Sequence, residues 1–274
     1  MKTALVTGCS SGIGLYTAIA LAKDGYAVHA TMRDTSKDAE IRSVASKESV
    51  DVLVSQLDVS DEASISSAIT SIAEQSGTID VLVNNAGFGQ FGAIEDTAMS
   101  DFRSQFDTNY FGVVSIIQKV LPYMRSQKSG RIINIGSVVG RMGLPCSPAY
   151  ISSKFALEGL TECLRYEVDQ FNIQATVIEP GVIKTQFIKS MKIAQPSNEV
   201  YTNMLNHIMS GLEMMVQMGT DPKAVADAVL DAIHEESMQP RYVVGADANM
   251  FVNVKKSRTD AEFEDFMKKE VFPQ

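Results

Sequence analysis

Short β-branched runs alternate along this chain with longer stretches of helical period. The runs occupy 3–7, 27–32, 52–57, 81–84, 132–136, 174–178 and 242–244, and several are apolar throughout. Continuous apolar runs of that length suit strands covered on both faces. Helical periodicity fills 12–24, 38–48, 61–75, 100–126, 149–169 and 221–235 between them. This alternation predicts an α/β fold, one doubly wound parallel sheet of about seven strands flanked by helices. No linker, repeat or low-complexity tract divides residues 1–245. Beyond them, 246–274 form an extension with Phe263, Phe266 and Met267 at helical spacing, expected to pack on the same domain or on a partner subunit.

Ligands of such sheets bind beyond the carboxyl ends of the strands, so those ends carry the candidate chemistry. The first strand runs into Thr7-Gly8-Cys9-Ser10-Ser11-Gly12-Ile13-Gly14, and a helix follows. Glycines here let the backbone turn tightly and approach a pyrophosphate, which a helix N-terminus attracts through its free N–H groups and its dipole. A plain strand-to-helix turn is the alternative. The second strand ends in Met32-Arg33-Asp34. An acid at this place holds the hydroxyls of an adenosine ribose, whereas a 2′-phosphate favours a cation. Met32 stands where the acid is expected and Arg33 follows, which favours NADP(H), with Ser11 and Arg33 as phosphate contacts. Asp34 keeps NAD(H) open, since it can face the ribose or pair with Arg33. The third strand ends in Leu57-Asp58-Val59, where an acceptor can take the adenine amino group. The fourth ends in Asn84-Asn85-Ala86-Gly87, small residues that admit a cofactor and an amide that can satisfy exposed backbone groups.

Pro148 marks a helix start, and Tyr150 and Lys154 then lie one turn apart on one face. A nearby cation favours the phenolate, so the pair is expected to have a lowered phenol pKa and to exchange protons near neutral pH. The fifth strand ends in Ile135-Gly136-Ser137, and the loop from there to Tyr150 is long enough to return the Ser137 hydroxyl to the phenol.

Composition narrows the picture. With 274 residues, 45% hydrophobic and 21% charged, the chain is an ordinary globular one, and its net charge of −9 argues against a nucleic-acid or anionic-membrane partner across the whole surface. No apolar run approaches the ~20 residues of a membrane span, and the start of the chain has no signal-peptide core. Cys9, Cys146 and Cys163 lack C-x-x-C spacing and read as free thiols in a reducing, cytoplasmic setting. Cys9, inside the glycine loop, is expected to be shielded from thiol reagents by bound NADP(H). His29, His207 and His234 have no metal-ligand spacing, so no metal is expected.

Thr7-Gly8-x-x-x-Gly12-x-Gly14, Asn85-Ala86-Gly87, Asn109, Ser137, Tyr150-x-x-x-Lys154 and Pro180-Gly181 stand in family order, and over most of its length the chain resembles the short-chain dehydrogenase/reductase family. Ala30-Thr31-Met32-Arg33-Asp34, Gly143-Leu144-Pro145 and Ser153-Lys154-Phe155-Ala156-Leu157-Glu158-Gly159-Leu160 are similar to its branch of oestradiol 17β-hydroxysteroid dehydrogenases and retinol dehydrogenases, generally NADP(H) users. The resemblance implies a Rossmann-like fold and an oxidoreductase interconverting an alcohol with its ketone or aldehyde. It implies Tyr150 as general acid/base, Lys154 as holder of the nicotinamide ribose that lowers the phenol pKa, Ser137 orienting the carbonyl, and Asn109 supporting a water relay to Lys154. Pro180, Gly181, Val182 and Thr185 are implied cofactor contacts, although Asn109 and Thr185 can equally cap helices. A homodimer or homotetramer is implied, often through the helices bearing Asn109 and Tyr150. A cofactor-sensing regulator without turnover is an alternative that the intact Ser137, Tyr150, Lys154 and Asn109 argue against. A nucleotide-sugar epimerase or dehydratase usually has a larger region after Pro180.

Residues 182–219 carry Phe187, Met191, Ile193, Met204, Leu205, Met209, Leu212, Met214, Met215 and Met218. The resemblance implies that this segment covers the substrate. Methionine adapts to irregular apolar shapes, which suits a lid over a steroid-, retinoid- or lipid-like molecule, but such a stripe also suits a core or a subunit contact. Phe88, Phe91, Met142, Leu144 and Phe187 are the expected lining of the same mouth.

Overall fold

A computed structural model describes residues 1–271. Its strands are β1 (Thr3–Thr7), β2 (Ala27–Met32), β3 (Leu53–Gln56), β4 (Val81–Asn84), β5 (Gln90–Phe91), β6 (Gly130–Ile135), β7 (Ile173–Pro180), β8 (Lys192–Ile193) and β9 (Arg241–Val244). The helices are α1 (Gly12–Lys23), α2 (Ala39–Glu48), α3 (Glu62–Ser76), α4 (Met99–Phe106), α5 (Gly112–Gln127), α6 (Pro148–Val168), α7 (Phe187–Ser190), α8 (Glu199–Gln217), α9 (Pro222–His234), α10 (Ala246–Lys256) and α11 (Asp260–Phe266).

Seven strands form one parallel sheet in the order β3-β2-β1-β4-β6-β7-β9. Alternation along β1 shows how both faces are buried. Ala4 and Val6 join Leu15, Leu21, Val225 and Val229 beneath α1 and α9. Leu5 points the other way, to Ile65, Ile69, Ile116, Val120 and Leu157 of α3, α5 and α6. Full burial of each such side chain stabilises by roughly 1.5–3 kcal/mol. The order of strands reverses at β1 and β4, so their carboxyl ends open the crevice where this architecture takes ligands.

Three features depart from the hydrophobic pattern. The periodic stretch 100–126 is two helices joined by a π-helical turn, Asp107–Phe111. The apolar run of β7 stops at Ile178, yet the strand continues through a buried Glu179 to Pro180. A separate parallel ribbon pairs β5 with β8, Gln90 opposite Lys192 and Phe91 opposite Ile193. In the extension, α10, α11 and the turn after it bring Ala248, Val252, Phe263 and Met267 against Val138 and Met142; residues 272–274 lie outside the described residues. Among the described residues no helix is long and apolar enough to cross a membrane, and no cluster of His, Cys, Asp and Glu suits a metal.

Candidate active site

The glycine loop is built around Asn85. Its Nδ2 donates to the Thr7 carbonyl (2.8 Å) and the Gly8 carbonyl (3.1 Å), while the Thr7 hydroxyl accepts from the Asn85 and Ala86 amides (2.9 and 3.0 Å). The ends of β1 and β4 are thereby locked together. Gly8 and Gly12 have φ of +73° and +61°, a backbone region that L side chains rarely adopt, and a Cβ on Gly8 would come 2.8 Å from Ala86 Cα. Ser11 precedes α1 in extended conformation, its hydroxyl caps nothing, and the first turn contains no acid. Such an N-terminus offers backbone N–H groups to an anion. The half-buried Ser10 and Ile13 complete the loop.

Cys9 does not serve as a reporter for this loop, contrary to expectation. Its thiol is fully buried, bonds to the Val6 carbonyl at 3.2 Å, and is held far above its ordinary pKa by burial. A buried, protonated thiol is inert whether or not anything occupies the loop.

Arg33 is exposed and forms no ion pair among the described residues. Asp34 turns elsewhere: it accepts from the Ser36 amide and hydroxyl (3.1 and 2.7 Å) and lies 3.9 Å from Lys37 Nζ. The Ser36 hydrogen bonds, chiefly, hold its carboxyl below the usual range. Asp58 is engaged in the same manner, with Ser60. Val59 is buried, and the carbonyl it presents leaves room only for Gly112 at the start of α5.

Lys154 is buried on α6, and its ammonium donates to the Ile135 carbonyl at 2.8 Å, 5.8 Å from the centroid of the Tyr150 ring. Burial pushes this amine down to about 8, with Glu158 acting in the opposite direction. Burial pushes the half-buried Tyr150 phenol up to about 12, and the Ser137 hydrogen bond draws it back only in part. The expected lowering of the phenol pKa is therefore reversed, because desolvation of a phenolate outweighs a cation held on a backbone carbonyl. The Ser137 hydroxyl also lies 3.4 Å from the Pro180 carbonyl and from the Val139 amide, at the long end of hydrogen bonding.

The π-helical turn directs Asn109 inward. Its Oδ1 accepts from the Phe88 amide (3.2 Å), and its Nδ2 donates to the Phe88 carbonyl (3.0 Å) and reaches Ser153 Oγ at 3.4 Å. Asn109 thus fixes the strand leaving Gly87, and a Cβ on Gly87 would sit 3.1 Å from its Oδ1. Thr185 lies against the loop from the other side, its Cγ2 3.3 Å from where a Gly12 Cβ would be; its Oγ1 accepts from the Phe187 amide at 3.3 Å.

Aromatic rings surround the phenol. Phe91 stacks on Tyr150 at 6.2 Å and Phe187 tilts against it at 5.8 Å, while Lys192 covers the Phe88 ring at 4.8 Å. Met142 and Leu144 do not join them; both pack with the C-terminal helices, because the chain after Val138 turns toward α10. The methionine stripe divides. Met191 and Met209, with Leu205 and Leu212, pack toward Phe91 and Cys146, whereas Ile193, Met204, Met214, Met215 and Met218 face outward.

Four charged positions around the site were not marked in the sequence. Asp247 of α10 accepts from the Val182 amide at 2.7 Å and fills the space beside Gly181, so it anchors the Pro180–Val182 turn. Glu158 and Glu179 are buried behind Lys154, and Arg141, half-buried, pairs with Glu179. Only the i, i+4 spacing of Lys154 and Glu158 signals any of this.

Comparison with known proteins places the chain in a family. The short chain dehydrogenase family profile matches residues 2–196. The uncharacterized oxidoreductase YusZ of Bacillus subtilis is 35% identical over 278 residues, covering 99% of each chain. Retinol dehydrogenase 8 of Bos taurus is 36% identical over 245 residues, 85% of this chain and 78% of the relative. The alcohol dehydrogenase from the archaeon Thermococcus sibiricus, complexed with 5-hydroxy-NADP, superposes with a TM-score of 0.74 at 26% identity, over 90% of this chain and 97% of that one. This chain belongs to the short-chain dehydrogenase family of oxidoreductases.

Proposed function

We propose that the protein is an NADP(H)-dependent oxidoreductase interconverting a hydrophobic alcohol and its ketone or aldehyde, with Tyr150 as general acid and base. The observation that carries this is the Tyr150 phenol, set between Phe91 and Phe187 with Lys154 behind it. Gly8, Ser10, Ser11, Gly12, Ile13 and Gly14 would hold the pyrophosphate, a role their φ values and the uncapped α1 suit. Asp58, Val59, Asn85, Ala86 and Gly87 would border the adenosine side, and Pro180, Gly181, Val182 and Thr185 the nicotinamide side. Bound there, the cofactor supplies or takes up the hydride. In reduction Tyr150, protonated at neutral pH, gives its proton to the carbonyl oxygen while Ser137 orients that oxygen. Lys154, held by Ile135, stabilises the phenolate left behind, and Asn109 supports a water relay to it.

The test is a spectrophotometric screen of NADPH and NADH oxidation against steroid ketones, retinal, medium-chain aldehydes and small ketoesters. No turnover of any of these would overturn the reading. Retinol dehydrogenase 8 and the aromatic mouth support the apolar arms of that screen.

The cofactor bound by the Thermococcus relative and the unpaired Arg33 support NADP(H) over NAD(H). Arg33→Ala is expected to lower kcat/KM for NADPH roughly 10- to 100-fold, the worth of one charged hydrogen bond, and to leave NADH nearly unchanged. A parent enzyme faster with NADH would refute the assignment.

We also propose a homodimer or homotetramer through α6 and the π-helical turn. Phe155 and Phe111 on these neighbouring elements are 45% and 56% exposed, apolar rings of the kind that subunit contacts cover. Phe155→Glu is expected to shift the sedimentation-derived mass toward the monomer; an unchanged mass would place the contact elsewhere.

A further inference from the structure

Two carboxyl groups lie side by side beneath the Ser137 loop. Glu179 is fully buried at the end of β7, and Glu158 is buried on α6 one turn beyond Lys154. Each gives one oxygen to arginine. Glu179 Oε1 is 2.5 Å from Arg141 Nε and 3.7 Å from Arg241 Nε; Glu158 Oε2 is 2.8 Å from Arg241 Nε. The second oxygens, Glu179 Oε2 and Glu158 Oε1, are buried with no hydrogen-bond partner. Two acceptors cannot bond each other, and a buried polar atom left unpaired is costly. One proton between the two acids satisfies both atoms at once. Gly136 and Gly140 make the space: Cβ atoms there would come 3.3 Å and 3.4 Å from Glu158 Oε1.

We propose that Glu158 and Glu179 form a proton-sharing carboxyl pair, Glu179 carrying the proton, and that Glu158 is a positioning residue that keeps Lys154 cationic. The role for Lys154 rests on the proposed function; the shared proton does not. Arg141 and Arg241 balance the pair from the 138–141 turn and β9, and Lys154 and the exposed Glu162 face it from α6. A cleft of ≈ 110 Å³, lined by Glu158, Thr161, Glu162, Arg165, Tyr166 and Arg241, opens beside Glu158.

Burial, reinforced by the charge of Glu158, pushes the Glu179 carboxyl up from 4.5 to about 7. A native state that holds a proton the unfolded chain releases loses stability as pH rises across that interval. Glu179→Gln replaces the protonated acid by an amide that still donates to Glu158.

Infrared spectra at pH 6 test the pair. The parent is expected to show a carbonyl band of a buried protonated acid that Glu179→Gln lacks, and Glu179→Gln is expected to flatten the fall of Tm between pH 4.5 and about 7. The pH profile of carbonyl reduction tests the positioning role. Glu158→Gln should move the alkaline limb to lower pH by roughly one unit, since a neighbouring charge is lost, while Glu179→Gln keeps it in place. Absence of the acid band would overturn the pair, and an unmoved limb in folded Glu158→Gln would overturn the positioning role. If Glu158→Gln does not fold, Glu158→Asp, which keeps the charge farther from Lys154, is expected to shift the limb in the same direction, and an unmoved limb there counts equally against it. A parent that reduced no carbonyl would sink the proposed function and leave the infrared arm to decide the pair.

Discussion

Tyr150→Phe is expected to cut kcat for carbonyl reduction by roughly 10²- to 10⁴-fold, the usual worth of a positioned general acid. NADPH affinity, read by fluorescence titration, should change little, because the ring still packs between Phe91 and Phe187 and Lys154 still donates to Ile135. Turnover at the parent rate would remove the phenol from the reaction. The parent should show a matching pH dependence. With the phenol at about 12 and the Lys154 amine at about 8, the group that titrates first on raising pH is Lys154. Its lowered value means that below about 8 the ammonium is present and above it the charge is lost. Reduction should therefore hold below that pH and fall above it. A flat profile to pH 10 would contradict a role for the cation.

Gly14→Ala is expected to do comparable damage by another route. The added methyl would collide with Asn85 Nδ2 and the Gly8 carbonyl, a closer approach than any Cβ tolerates. Moving Asn85 away would unpair the Thr7 and Gly8 carbonyls that its amide satisfies. Overpacking of this kind costs about 1–3 kcal/mol. For a chain of this size that corresponds to a Tm lowered by roughly 2–6 °C, with NADPH binding weakened as well. Gly211→Ala is the control. Gly211 lies inside α8 with nothing near its missing Cβ, so alanine there should stabilise by about 0.5–1 kcal/mol. If both substitutions behaved alike, the close approach in the loop would not be the cause.

Much of this was legible in the residues. The sheet strands follow from β-branched runs, most clearly where the strand is buried on both faces, as β1, β4 and β7 are, and the glycine loop, Ser137, Tyr150 and Lys154 follow from their places at strand ends and on one helix. What escaped depends on contacts distant in sequence. Glu179 reads as the polar end of an apolar run, yet Arg141 and Arg241 let β7 continue through it. Met142 and Leu144 stand close to Tyr150 in the chain, but the helices that claim them begin a hundred residues later. The phenol pKa depends on how deeply the ring is buried, which spacing cannot reveal. Strands of two residues have no periodicity to detect, and the β5–β8 ribbon was invisible for that reason.

That ribbon ties together two parts of the molecule that would otherwise move separately. Lys192 N donates to the Gly89 carbonyl at 2.9 Å and Ala194 N to the Phe91 carbonyl at 2.8 Å, while Gly92 N bonds to the Cys146 carbonyl at 2.8 Å. The Phe88–Phe91 stretch, the 187–217 segment and the loop leading into α6 are therefore knitted edge to edge. Any opening wide enough to release a bulky product must either carry all three along or unzip the ribbon, at about 0.5–1.5 kcal/mol per bond. Under the proposed function, release of product and loosening of Phe91 from the Tyr150 ring would share one barrier, and Ala194→Pro, which removes the amide that bonds to Phe91, should shorten how long a guest stays without touching the proton transfer.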